Sequence, residues 1–390
     1  MATITGGAYG NVTLSAHENG DLLQAFGWGN KILLNGLNAT VNAGQGQATV
    51  VAGAGADTVN QAVVLGGWNN LVEGSTATPA GAGANENVSV SGGLGNATVQ
   101  LGNGADNIAL AGWNNLISLG NGADTIFAGS GSGTIFAGNG TDSVALGGWG
   151  NLIVLGDGND TVSGISGGST IIAGNGNNLI QVSGWTDLVQ LGAGSSTVTG
   201  IDGSSTVSAG NGSNLIVADG YGNAISLGGG SNTVIAGAGN DSVTLGAGQN
   251  RVTLAGWGNQ VTALGGSDTI QSGAGSDTIA LNGGNLVVTG GAHATVSVGG
   301  TAPDSVTDAQ QGMVVLVGPA SPSVQLNFGT DTGWVVDFVG GAGGFTNVAG
   351  IEAALQGHGA TTTLALGGSG STVTFAQPLG TLTPGHFHIG

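Results

Sequence analysis

The 390-residue chain has no cysteine, so no disulfide contributes to its fold and none marks its compartment. Basic residues are almost absent. Lys31 and Arg251 stand against 21 acidic side chains, a formal charge of −19. Nothing can neutralise a phosphate backbone or an anionic bilayer, so nucleic acid and membrane surfaces are excluded as partners. Charged residues make up only 6% of the chain, against roughly a quarter in an ordinary globular domain. Six prolines argue against a disordered linker and against collagen. No apolar run is long enough to span a bilayer, so membrane insertion is not expected. The N-terminus has neither a basic region nor an apolar stretch, so a cleaved signal peptide is not expected either.

Glycine is what the chain has instead, 84 residues of it, in a sequence that is 40% hydrophobic. From Gly112 the sequence divides into nines: GWNNLISLG, NGADTIFAG, SGSGTIFAG, NGTDSVALG, GWGNLIVLG and onward, in frame through residues 278–282. Each block joins a Gly-Asn/Asp turn to a short alternating strand. Alternation places Ile126 and Ala128, or Ile153 and Leu155, inward, and Thr125 and Phe127, or Leu152 and Val154, outward. One block cannot bury its own apolar face, so burial comes from stacking coil on coil, two blocks to a coil.

Six blocks carry the pattern Gly-Gly-x-Gly-x-Asp-x-apolar-x closely, at Asp57, Asp106, Asp124, Asp160, Asp241 and Asp277. Over roughly residues 27 to 300 the chain resembles the RTX (repeats-in-toxin) nonapeptide proteins. That resemblance implies an all-β fold, a parallel β-roll or β-solenoid of about 18 residues per coil. It also implies calcium, held between successive turn loops by the motif Asp and backbone carbonyls.

The chemistry of the residues agrees, since Ca²⁺ takes six to eight oxygen ligands in irregular geometry and glycine lets carbonyls turn toward one ion. Asp106, Asp124, Asp142 and Asp160 recur at 18-residue intervals and form one row, with room for about three ions between four loops. Further along that side stand Asn178, Ser196, Asn214, Asn232 and Asn250 before Asp268, and neutral side chains there suit a hydrogen-bonded ladder. Opposite, Asp187, Asp241 and Asp277 are separated by non-acidic loops.

A second period overlies the first. Trp113, Trp149, Trp185, Tyr221 and Trp257 are each 36 residues apart. Trp28 to Trp68 is 40, or 36 plus four near Asn60. Trp68 to Trp113 is 45, or 36 plus nine at Thr76–Gly83 or just after. These aromatics replace a turn glycine and sit along one edge, either covering a neighbouring turn or facing a partner. Leu116, Thr134 and Phe136, Leu152 and Val154, Ile172 and Leu188 run as an apolar stripe on an outward strand face that something should cover.

Residues 1–26 are expected as an N-terminal cap, 27–300 as the solenoid and 301–390 as a β-rich C-terminal cap with one helical turn near Ile351–Leu355. The last stretch resembles the uncleaved address of RTX proteins exported by type I secretion, which implies an extracellular or cell-surface protein. His386 and His388 fall on one face of a terminal strand without a third metal ligand. No catalytic constellation stands apart from the periodic carboxylates, so an enzyme is not expected. The leading expectation is a calcium-dependent structural protein that associates with itself as a fibre, surface layer or biofilm matrix. A polysaccharide adhesin using the aromatic row is the alternative. Ice binding is disfavoured because Leu and Thr alternate where a uniform Thr array would be needed.

Overall fold

The computed structural model describes residues 2–35, 37–52, 60–74, 87–273, 275–282, 284–289, 293–308, 312–367 and 370–390. The segment Thr76–Gly83 lies outside them. The chain divides into two compact units, Met1–Thr199 and Gly200–Gly390.

In the first unit, short strands alternate between two parallel sheets, and each strand pairs with the strand one coil away. Thr125–Ala128 lies between Asn107–Leu110 and Ser143–Leu146, with Ile126 beside Ile108 and Val144. On the other sheet Thr134–Ala137 lies between Leu116–Ser118 and Leu152–Leu155. Parallel pairing already includes residues 1–26, where Thr3–Thr5 pairs with Asp21–Gln24 and Thr13–Ser15 with Lys31–Leu33.

The predicted alternation holds. Ile126, Ala128, Ile153 and Leu155 are buried, while Phe127 is 60% exposed. The interior is a stack of Val, Ile, Leu and Ala side chains between the sheets, each strand adding a pair such as Ile126 with Ala128 or Ile135 with Ala137. β-Branched residues suit these rungs because their restricted χ1 packs against identical neighbours above and below. Turns are closed by residues in the left-handed region. Asn114 takes φ 55° and Gly150 φ 70°, each directly after a turn tryptophan. The strand Thr161–Ile165 contains an irregularity between Val162 and Ile165.

The second unit continues the same construction. Leu215–Tyr221, Thr233–Ala236 and Arg251–Leu254 pair in parallel on one sheet, and Thr206–Ala209, Ala224–Leu227, Ser242–Leu245 and Gln260–Ala263 on the other. Near the C-terminus Val335–Phe338 pairs with Phe387–Ile389, and Val324–Asn327 with Thr372–Phe375. Thr361–Ala365 then adds antiparallel between Thr372–Phe375 and Leu355–His358. The expected helical turn is the helix Val348–Ala354, capped by the Asn347 side chain on Gly350 N–H. Here the thin aliphatic rungs give way to an aromatic cluster. Trp334 is sandwiched between Phe328 and His386, each ring 4.1 Å from its own.

That cluster corrects one expectation. His386 belongs to the turn Pro384–His386 and stacks on Trp334, whereas His388 lies in the strand and pairs with Asp337 at 3.0 Å. The two imidazoles do not share a strand face.

Truncating one rung should be costly. Ile135→Ala removes a fully buried side chain and should lower stability by about 2–5 kcal/mol in guanidinium unfolding with calcium present. Phe127→Ser, on the wet face, should stay within about 0.5 kcal/mol.

Candidate metal centre

Most of the described turns leave one backbone N–H that the parallel sheet does not take up. A side-chain oxygen from the next coil accepts it. Asp124 Oδ1 accepts from Asp106 N–H at 2.8 Å, Asp142 Oδ1 from Asp124 N–H at 3.0 Å, and Asp160 Oδ1 from Asp142 N–H at 2.9 Å. Asp106 Oδ1 in turn accepts from Val88 N–H. Asn178 and Ser196 extend the row by accepting from Asp160 and Asn178 N–H. The structure thus brings Asp106, Asp124, Asp142 and Asp160 into the single buried row that their spacing implied. A second ladder on the loop exterior runs the opposite way, with Asn139 N–H donating to Asn121 Oδ1 and Asp157 N–H to Asn139 Oδ1.

The second carboxylate oxygen distinguishes Asp from Asn. Asn178 Nδ2 donates to the carbonyl of Gly174, four residues upstream, and Asn115 Nδ2 to those of Ala111 and Gly112. In Asp124, Asp142 and Asp160 the corresponding atom is an oxygen, Oδ2, buried and without a hydrogen-bond partner. Such an orphan is expensive unless a proton or a cation reaches it. The loop carbonyls of Gly120, Gly138 and Gly156 each accept one N–H from the next coil, which leaves each a second lone pair. Buried carboxylate oxygens beside such carbonyls form an all-oxygen donor set for a hard divalent cation. Among the described residues no three acidic or imidazole side chains converge. A cation here therefore draws most of its ligands from the backbone, as the glycine content allows.

Burial sets the electrostatics. It pushes Asp124 up to about 6, and Asp142 up to about 6 with added repulsion from Asp124 and Asp160. Asp160 is raised for the same reason. Asp21 is the contrast. Its Oδ1 accepts from Ala2 N–H and its Oδ2 from His17 and Glu18 N–H, and these three donors hold it down at about 2.

In the second unit Asp268 closes a run of Asn214, Asn232 and Asn250. Their amides form the expected ladder, Asn214 to Asn232 at 3.0 Å, Asn232 to Asn250 at 2.9 Å and Asn250 to Asp268 at 2.7 Å. Asp241 and Asp277 occupy a row with Asn223 and Asn259. The Oδ2 atoms of Asp241, Asp268 and Asp277 are buried without partners, and burial raises all three carboxyls. Asp304, which the periodicity missed, has the same orphan oxygen and the same shift. Asp268 N–H bonds Asn285 at a 17-residue interval and Asn285 N–H bonds Asp304 at 19, so the slip cancels. The signal was present as Gly299-Gly300-x-x-x-Asp304. Asp57 lies outside the described residues.

The aromatic residues lie at turns and are exposed, from 41% at Trp68 to 62% at Trp257. In the first unit backbone bridges and hydrogen bonds run through Trp28, Gly46, Trp68, Gly95, Trp113, Gly131, Trp149, Gly167 and Trp185, so a tryptophan stands on every second coil. The extra four and nine residues fall between Gly46 and Trp68, and between Trp68 and Gly95, without breaking that register. Tyr221 and Trp257 flank Gly239 in the second unit. On the adjoining sheet Phe136, Val154 and Ile172 are direct cross-strand neighbours between Ser118 and Gln190, and in the next column Leu116, Leu152 and Leu188 alternate with Thr134 and Thr170.

The family model for the RTX calcium-binding nonapeptide repeat (4 copies) matches residues 114–144, 154–184, 217–252, 226–259 and 254–285. These spans contain Asp124, Asp142, Asp160, Asp241, Asp268 and Asp277, and the repeat is a calcium-binding motif. No curated protein matches the chain. Among solved structures, the extracellular lipase LipA from Serratia marcescens matches 50% of this chain and 40% of its own, with 14% identity and a TM-score of 0.25.

Without calcium, the raised carboxyls bind protons more tightly folded than unfolded. Their contribution is therefore complete below about pH 4 and lost as pH rises through about 6. Circular dichroism in chelator should show β structure at pH 4 that fades by pH 7 and returns on adding calcium. Asp142→Asn supplies the amide donor used by Asn178. It should bind less calcium at pH 7 yet keep more β signal in chelator than the wild type.

Proposed function

We propose that this chain, an RTX β-roll protein, is an extracellular structural protein that folds when it meets calcium and then associates with copies of itself into a fibre, surface layer or biofilm matrix. Calcium occupies the row of Asp106, Asp124, Asp142 and Asp160, and further ions sit at Asp241, Asp268, Asp277 and Asp304. Bound there, it supplies the positive charge that the buried carboxylates lack. The chain's own part is to present one carboxylate per coil and to turn loop carbonyls toward it. The switch follows from where the ion is scarce. At cytosolic calcium the orphan oxygens disfavour the folded coil, which keeps the chain extended for type I export, and external calcium folds it.

The observation that carries self-association is the apolar stripe. Phe136, Val154 and Ile172 lie side by side on a sheet face where a monomer would place polar residues, and Phe136 is 40% exposed. Repetition gives such a face over several coils, and a second copy offers the same stripe in return. The carbohydrate-adhesin reading rests on a different edge, the tryptophan turns.

Sedimentation and negative-stain imaging test assembly. The wild type should form ordered polymers in calcium and disperse in chelator. Val154→Lys combined with Ile172→Lys should retain the calcium-dependent β signal but remain monomeric. Unchanged monomers of the wild type in calcium would sink the structural reading.

A further inference from the structure

We infer that the tryptophan turns of the first unit form a binding ridge for a neutral β-1,4-linked glycan. This site is distinct from the apolar stripe and independent of self-association.

The spacing is the first argument. Trp28, Trp68, Trp113, Trp149 and Trp185 stand on alternate coils of one continuous backbone ladder. Alternate coils are about 9.6 Å apart, so the five rings extend over about 38 Å. In a β-1,4-linked chain each sugar is turned over relative to its neighbours, and equivalent faces recur once per disaccharide. That repeat is close to two coils. One extended glycan can therefore set every second ring against a tryptophan without bending. An α-1,4-linked chain coils and cannot follow a straight row.

Exposure and ring placement are the second argument. Tryptophan is highly buried on average, yet these five are 41–60% exposed. The intervening turns carry glycine, and at two of them the space is taken by the ring. A Cβ at Gly46 would stand 2.8 Å from Trp28 Cζ3, and one at Gly95 2.7 Å from Trp68 Cζ3. Those two indoles thus lie against the next coil and still keep 46% and 41% of their surface exposed. A shallow groove of about 620 Å³, lined by Ala109, Phe127 and Gly129, reaches Gly112 and Gly148, the residues that precede Trp113 and Trp149.

Charge selects the class of sugar. The turns read Phe-Gly-Trp-Gly-Asn, Gly-Gly-Trp-Asn-Asn, Ala-Gly-Trp-Asn-Asn, Gly-Gly-Trp-Gly-Asn and Ser-Gly-Trp-Thr-Asp, with no basic residue and with Asp187 buried. Uronate or sulfated polymers would meet a net acidic protein with one basic side chain near the row, Lys31 after the Trp28 turn. A neutral glycan fits instead, its apolar faces on indole and its hydroxyls within reach of the exposed Asn69 and Asn114 amides.

The test uses the full chain in calcium carrying Val154→Lys and Ile172→Lys, so that it does not sediment by polymerising, with microcrystalline cellulose for pelleting and cellohexaose for fluorescence titration. The expected results are co-pelleting, protection of the indoles from iodide by cellohexaose, and no comparable effect of maltohexaose. Trp113→Ala with Trp149→Ala should weaken cellohexaose binding roughly tenfold or more with an unchanged β signal. Trp149→Tyr should bind close to wild type, since Tyr221 shows that the turn accepts tyrosine. Absence of cellulose and cellohexaose binding, equal binding of maltohexaose, or binding indifferent to the double alanine variant would each overturn the ridge. None of these outcomes bears on polymer formation, which the stripe variants read separately.

Discussion

The loop edges depend on one recurring hydrogen bond, a turn N–H donating to a side-chain oxygen one coil further on, 18 residues away in the Asp row. The accepting residue must be short, because it is buried in the corner, and it must carry an acceptor. Asp, Asn and Ser satisfy both demands, and these three recur there. They differ in what remains once the bond is made. Ser leaves little, Asn leaves an amide that donates to an upstream carbonyl, and Asp leaves an oxygen that repels it. Calcium chemistry follows from that remainder.

The repeat was legible because stacking enforces it. A coil that changed length would lose its rungs, so strand, turn and inward positions such as Ile126 and Ile153 could be read directly. The row from Asp106 to Asp160 and the ladder from Asn214 to Asp268 followed from 18-residue arithmetic. The tryptophan series also survived insertions, since the extra residues leave the backbone register of Gly46, Trp68 and Gly95 intact. Other features were not local in the sequence. Asp304 escaped because two opposite slips flank Asn285 and only the three-dimensional stack shows that they cancel. His386 was misplaced because its position is set by Trp334, fifty-two residues away, through ring stacking rather than strand alternation. Whether tryptophan turns face solvent depends on the neighbouring turn being glycine, a contact between coils.

The distribution of Asp and Asn gives the two units different demands for the ion. In the first unit four carboxylates are consecutive rungs of one row, and Asp142 feels both Asp124 and Asp160. Unit charges one coil apart, about 5 Å, repel by about 3 kcal/mol at an effective dielectric of 20, so the row cannot be fully ionised and empty. In the second unit, Asp268, Asp277 and Asp304 each receive an amide from the preceding rung, Asn250, Asn259 and Asn285. Those donors separate the charges and solvate one oxygen of each. A neutral ladder is thus a way of holding the same corner closed without a cation. The cost of giving every coil such a ladder would be the loss of any dependence on calcium. Keeping four adjacent carboxylates in one row concentrates that dependence in the first unit, the part of the chain that also carries the apolar stripe and the five tryptophan turns. Folding of the stripe and of the tryptophan turns is thereby tied to the ion.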